Sequence, residues 1–97
     1  GLSGIVEVTL EPQNAQALDA FEARATRDAA VQQCYRTASG PDFVLVATVA
    51  DMPAWHALVQ RLMTAELNVR NVRSFFVAKR AKFAPAIPLP AFHRGQI

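Results

Sequence analysis

Little in this sequence suits a disulfide, a metal site or a membrane span. The only cysteine is Cys34, so no disulfide can form within the chain and no Cys/His metal pattern exists. No apolar run reaches the roughly 18 residues that a membrane-spanning helix needs, and no secretory signal is recognisable. These absences indicate a cytoplasmic protein that holds no metal and does not span a membrane.

Groups that commonly catalyse reactions are equally scarce. His56 and His93 are the only histidines, and neither has a carboxylate or thiol partner at a spacing typical of a general base or a metal ligand. Ser/His/Asp and glycine-rich phosphate motifs do not occur. Cys34 lies in a strand-like run without a paired histidine, which favours a buried structural thiol over a nucleophile. We therefore expect no catalytic residue and no cofactor.

The composition that remains describes one small apolar domain. The chain has 97 residues, of which 52% are hydrophobic and only 19% are charged, a balance that suits either a chain that buries surface against copies of itself or a monomer with a large core. The net charge is +2, and several basic residues gather near the end of the chain. Their spacing favours solvated strand ends and a tail rather than a nucleic-acid-binding face.

Hydrophobic periodicity predicts four strands and two helices. Strands are expected at residues 5–10, 31–38, 43–49 and 69–79, where apolar residues alternate or form a continuous run. Asn14 suits the cap of a first helix that extends to about Arg27, and Asp51 suits the cap of a second that ends before Leu67-Asn68. The second helix has apolar residues at i, i+3, i+4, i+7 and i+8, which predicts core positions for Trp55, Leu58, Val59, Leu62 and Met63.

The order strand, helix, strand, strand, helix, strand predicts an α+β, ferredoxin-like βαββαβ fold. In that fold an antiparallel four-stranded sheet carries both helices on one face. The other face is expected to carry apolar residues too, namely Ile5, Tyr35 or Cys34, Phe43 or Val44, and Phe75 or Phe76. A sheet with two apolar faces needs a second layer, and another copy of the chain would supply it, as in dimeric α+β barrels.

Several segments resemble the C-terminal domain of the Lrp/AsnC (feast/famine) transcription regulators, called the RAM domain. The most specific matches are the strand-mouth pair Asp42-Phe43, the second acid Asp51, and the ending from Lys82 to Pro88-Leu89. The matching stretches are VEVTLEPQNAQALDAFE, VQQCYRTASGPDFVLVATVADM, LNVRNVRSFFVAKRAKF and AIPL. The resemblance implies one domain over residues 1–89, with its core at about 4–82, followed by a tail at 90–97.

The resemblance also implies partners. Domains of this family pair sheet to sheet into dimers, and the dimers assemble into larger rings, often octamers. Small effectors, commonly amino acids, bind between dimers. DNA is bound by a helix-turn-helix domain that normally precedes this one. That domain is expected to be missing from this chain, because too few residues precede residue 4 to form it.

By resemblance, the effector pocket is lined by the turn before the second central strand and by hydroxyl residues on the last strand. These positions correspond here to Ser39, Gly40 and Asp42 in the turn, and to Val72 and Ser74 on the strand. Two departures stand out, since the glycine of the turn is shifted by one residue and Val72 replaces one hydroxyl. Asp42 could accept hydrogen bonds from an effector's ammonium group, or it could bond amides of its own turn.

Two alternatives to an effector-sensing domain remain. One is a small enzyme of the dimeric α+β barrel type, a cofactor-free monooxygenase or an isomerase, for which Tyr35 and Asn71 are the available side chains. Fold analogy alone cannot support that function. The other is a purely structural assembly module, which the substitutions at Ser39 and Val72 favour slightly. The position of a polar pocket would distinguish the three functions. A pocket between dimers would indicate a sensor, a pocket inside one dimer would indicate an enzyme, and the lack of a pocket would indicate a structural module.

Overall fold

A computed structural model of the protein describes residues 1–63 and 69–88. Predictions that concern Leu67-Asn68, Leu89, His93 and the tail at 90–97 lie outside the described residues. The predicted βαββαβ order is confirmed. The elements are β1 (Leu2–Leu10), α1 (Ala15–Arg27), β2 (Val31–Arg36), β3 (Phe43–Val49), α2 (Met52–Met63) and β4 (Val69–Phe76).

The four strands form one antiparallel sheet in the order β2-β3-β1-β4. Strand β3 has the predicted bounds, whereas β1 begins at Leu2, three residues earlier than predicted, because Leu2 already pairs with Val49. Strand β4 ends at Phe76 instead of residue 79. The amide of Val77 still donates to the Ser3 carbonyl at 2.9 Å, but β1 offers few residues beyond it to pair with.

Strand β2 is also shorter than predicted, ending at Arg36 rather than at residue 38. The chain turns there, because the Thr37 amide donates to the Asp42 carbonyl at 3.0 Å and the Thr37 hydroxyl donates to the carbonyl of Pro41. A register shift between Val31 and Gln33 further interrupts the pairing of β2 with β3. The turn that contains the predicted effector residues is therefore fixed by its own hydrogen bonds.

Both predicted helix caps are confirmed. The side chain of Asn14 accepts a hydrogen bond from the Ala17 amide at 2.8 Å, and that of Asp51 accepts one from the Ala54 amide at 3.0 Å. Each bond satisfies an amide that has no partner within its helix. No helix among the described residues has the length and apolar character needed to cross a membrane.

The core lies between the helices and one face of the sheet. The rings of Phe21 and Phe43 lie 4.8 Å apart at its centre. Gly4 is required at its edge, because a Cβ there would lie 2.6 Å from the indole ring of Trp55 and 2.7 Å from the Phe75 carbonyl oxygen. The side chains that close the core are almost completely buried: Val6, Val8, Leu10, Phe21, Phe43, Leu45, Ala47, Trp55, Leu58 and Leu62.

No described part of the chain forms a layer over the other face of the sheet, and we call this face the open face. It carries Tyr35 rather than Cys34, Val44 rather than Phe43, and Phe75 rather than Phe76, which resolves the three predicted alternatives. Ile5 lies at its centre, opposite both Val46 and Phe75. Ile5 is 37% exposed, Tyr35 53% and Phe75 42%.

Cys34 lies on the helix side of the sheet and is only partly buried, less than predicted. Its burial still raises the pKa of the thiol.

Candidate functional site

The predicted turn residues lie between β2 and β3. Gly40 has a φ of +77°, a left-handed conformation that glycine adopts without a steric penalty. This explains why glycine stands at this position of the turn, directly before Pro41. Ser39 and Gly40 are exposed, whereas Asp42 is partly buried.

Asp42 connects this turn to the end of β1. One carboxylate oxygen, Oδ2, accepts hydrogen bonds from the Leu10 amide at 2.7 Å and from the side-chain amide of Gln13 at 3.2 Å. The backbone amide of Asp42 donates to the Val8 carbonyl at 2.9 Å. The carboxylate therefore bonds the neighbouring strand rather than amides of its own turn. Among the described residues no hydrogen bond reaches its second oxygen, Oδ1, which remains available to a ligand.

The two predicted strand residues, Val72 and Ser74, lie on the helix side of β4. Val72 pairs with Val8 and packs against the core, so it offers a ligand little surface. Ser74 pairs with Val6, and its hydroxyl accepts a hydrogen bond from the indole nitrogen of Trp55 at 3.0 Å. This bond satisfies the only polar group of a buried side chain that otherwise belongs to the core.

Ser74 also lines a groove between α2 and β4, with a volume of about 380 Å³. Two polar residues of α2, His56 and Gln60, are exposed at its margin. Within residues 1–63 and 69–88, no Asp, Glu, Lys or Arg side chain lines the groove. The rest of its lining is apolar: Met52, Trp55, Val59, Met63 and Phe76.

Sequence reasoning found Ser74 but missed the α2 side of the groove. Val59 and Met63 were both predicted in the core, yet Val59 is only partly buried and Met63 is 47% exposed. Met52, His56, Val59 and Met63 follow at helical spacing, beside the core stripe of the same helix. This second stripe on α2 was the sequence signal that could have predicted the α2 side of the groove.

The turn and the groove do not meet within one chain. The turn bonds to β1 on the side where β3 lies, whereas Ser74 pairs with β1 on the opposite side. The side chains proposed for an enzyme are also separated, because Tyr35 lies on β2 and Asn71 on β4, the two edges of the sheet. The Tyr35 hydroxyl donates to the side chain of Gln33 at 2.6 Å. Within residues 1–63 and 69–88, no three potential ligands cluster to hold a metal ion.

Comparison with known proteins shows the family to which this chain belongs. A family profile described as the Lrp/AsnC ligand binding domain matches residues 3–87. An uncharacterized HTH-type transcriptional regulator of Haemophilus influenzae is 31% identical over 81 residues, which cover 84% of this chain and 48% of that protein. This chain spans about half the length of the curated relatives it matches.

Two solved structures with bound amino acids are similar in fold and sequence. A transcriptional regulator from Neisseria meningitidis in complex with L-Met has a TM-score of 0.80 and 25% identity, over 91% of this chain and 56% of that one. A feast or famine regulatory protein from M. tuberculosis complexed with L-methionine has a TM-score of 0.74 and 30% identity, over 92% of this chain and 57% of that one.

Proposed function

This chain belongs to the Lrp/AsnC ligand-binding domain family, and from that membership we propose that it is the effector-sensing and assembly domain of a transcriptional regulator. The effector is a small molecule, an amino acid, as in the two similar regulators that hold methionine. DNA would be bound by a separate helix-turn-helix domain of the whole regulator. A cytoplasmic location is part of this proposal, because the relatives regulate transcription.

The observation that carries the proposal is the groove between α2 and β4. Concave, largely apolar sites with a few polar groups are the usual form of small-molecule pockets, with volumes of roughly 300–1,000 Å³. At about 380 Å³ the groove lies at the small end of that range, which suits a single amino acid. The polar ends of such a ligand need partners that the groove itself offers only in part.

We assign those partners to the turn of a neighbouring copy. Oδ1 of Asp42 can accept from the ligand's ammonium group, and the amides near Ser39 and Gly40 can donate to its carboxylate. Since the turn and Ser74 lie on opposite sides of β1, two copies would complete one site. Val72, on the core side, would shape the strand rather than contact the ligand.

The open face supplies the first step of assembly. Apolar residues exposed together on a sheet mark a surface that another layer covers. We propose that two copies pair through Ile5, Val46 and Phe75 and that the dimers then assemble further, with the effector between them. Effector binding would favour one assembly state and so set the spacing of the DNA-binding domains.

Light scattering after size-exclusion chromatography tests this proposal, first without additive and then with L-amino acids at millimolar concentration. Asp42→Asn is the decisive variant, because it keeps an oxygen for the Leu10 amide but removes the charge that an ammonium group needs. Gln13→Ala, which removes only the outer hydrogen bond to Asp42, is its matched control.

We expect an amino acid to shift the assembly of the wild type and of Gln13→Ala, but not that of Asp42→Asn. An assembly that no amino acid alters in any of the three proteins would contradict effector sensing and favour a structural assembly module. A monomer at all concentrations would contradict the assembly part of the proposal.

A further inference from the structure

The α2–β4 groove has a chemical character that restricts what it can hold. Its walls are formed by two thioether side chains, an indole, an isopropyl group and a phenyl ring. The rings of Trp55 and Phe76 meet edge to face at 5.0 Å, so these two walls support each other. Met52 and Met63 are 40% and 47% exposed, and methionine side chains adapt their shape to an apolar neighbour.

The buried donor that the described residues place in the groove is already satisfied. The indole N–H of Trp55 donates to the Ser74 hydroxyl at 3.0 Å. An apolar group placed in the groove therefore leaves no protein donor without a partner. A carbonyl or a charge placed there would lose water, and among the described residues that line the groove it would find no opposite charge.

From these observations we propose that the α2–β4 groove holds the side chain of the effector and selects amino acids with apolar or thioether side chains. This inference rests on the proposed function and names the class of effector. His56 and Gln60 lie at the exposed margin, where they can contact the ligand's polar end without entering the apolar part.

The test compares ligands of similar length that differ in polarity. L-Methionine and L-norleucine are matched with L-glutamine and L-lysine, and binding is measured by calorimetry. Trp55 is the only tryptophan of the chain and lines the groove, so its emission reports on a change in the groove. We expect the two apolar ligands to bind at least about tenfold more tightly than the two polar ones and to change the Trp55 emission.

Two variants on the same helix test the location. Val59→Phe fills the groove and is expected to abolish the emission change and to weaken L-norleucine binding by about tenfold or more. Ala57→Phe adds an aromatic ring at an exposed α2 position outside the lining and is expected to leave both unchanged. Thermal denaturation of both variants verifies that they fold.

A third variant tests the satisfied donor. Ser74→Ala leaves the indole N–H of Trp55 without its partner, so a ligand with an acceptor at its tip can take that place. The preference for L-methionine over L-glutamine is expected to fall by at least about threefold. A variant that merely loosened the fold would weaken both ligands equally, and that result would overturn the role assigned to the Trp55–Ser74 pair.

The outcomes separate this inference from the proposed function. If L-glutamine or L-lysine binds as tightly as L-methionine, effector binding stands but the apolar selection is overturned. If no amino acid binds at all, the proposed function fails first. If the emission of Trp55 changes with protein concentration but with no amino acid, a second copy fills the groove and the inference is overturned.

Discussion

The two faces of the sheet differ in burial: the helices of the same chain cover one face, and the described residues leave the other exposed. On β1, Val6 is fully buried beneath the helices, whereas its neighbour Ile5, one residue earlier, is 37% exposed on the open face. The covered face has aromatic and aliphatic side chains in contact throughout. The open face is also apolar at its centre, where the Glu7–Arg73 pair at 3.8 Å and the stacking of Arg73 on Phe75 shield it in part.

This difference separates stability from assembly. Burial on the covered face is complete within a single chain and so should hold the fold together at any concentration. The open face should contribute free energy only when a second copy covers it. Substitutions on the two faces should therefore change different measurements, and four predictions follow this contrast from the largest effect to the smallest.

The largest expected difference between the two faces is in the stability effect of replacing a phenylalanine on each. Phe43 is fully buried against Phe21, and Phe43→Ala is expected to lower the free energy of unfolding by about 3–5 kcal/mol. Phe75→Ala on the open face should cost less than about 1 kcal/mol in dilute monomeric protein. Urea denaturation at low protein concentration measures both, and equal losses would show that the open face also holds the monomer together.

The open face is tested by placing a charge on it. Ile5→Asp puts a carboxylate opposite Val46 and Phe75 and should weaken self-association at least tenfold, about 1.4 kcal/mol, because the charge would lose its water on pairing. Sedimentation equilibrium measures the change. An exposed helix position, Ala57→Asp, provides the control, and similar weakening by both variants would place the interface elsewhere.

Gly4 lies where the covered face meets the groove. Gly4→Ala forces the Trp55 ring or the β4 backbone to move, and we expect a loss of about 1–3 kcal/mol together with a change in Trp55 emission. Gly40→Ala is the matched control, since it strains only a left-handed turn residue with open space around it. It should destabilise the protein without any change in emission.

The smallest effect concerns an ion pair that joins the helices at one end of the covered face. Arg61 donates two hydrogen bonds to Asp28, and these bonds hold the pKa of the Asp28 carboxyl below its ordinary value. Since the folded pKa is depressed, this stability is present above the unfolded pKa and is lost as pH falls through the folded pKa. Arg61→Gln should cost about 0.5–1 kcal/mol at neutral pH, because Arg61 is half exposed.

Thermal denaturation at pH 7 and pH 3 checks this sign. The difference between the wild type and Arg61→Gln should shrink at the lower pH, because protonation of Asp28 removes the pair from the wild type as well. Arg36 pairs with Asp19 and Glu22, whose carboxylates are far more exposed than that of Asp28, so Arg36→Gln should change little at either pH. If the difference in thermal stability between the wild type and Arg61→Gln is larger at pH 3 than at pH 7, the stabilising role assigned to the Arg61–Asp28 pair is wrong.

Local patterns were sufficient for most of the fold. The continuous apolar run gave the bounds of β3, and the caps at Asn14 and Asp51 followed from residue type alone. The start of β1 was missed because Ser3 and Gly4 break the apolar alternation. Gly4 is there because of Trp55, and a contact between residues so far apart leaves no local signal.

The candidate site was harder to predict for the same reason. The partner of Ser74 is Trp55, on another element, and the partner of Asp42 is the Leu10 amide at the end of a different strand. Neither pairing can be read from spacing along the chain. Which of two neighbouring β2 residues, Cys34 or Tyr35, lies on the open face also stayed ambiguous. The register shift after Val31 interrupts the alternation of side chains along β2.

The chain enters and leaves the sheet at the same end, since Gly4 pairs with Phe76 and the Val77 amide bonds to Ser3. In an antiparallel pair the hydrogen bonds run across the strands. A force applied between residues 2 and 77 would therefore load these bonds one after another, as in a zipper, instead of shearing them together. Under tension β4 would peel away first, opening the groove before the pairing of β1 with β3 is disturbed.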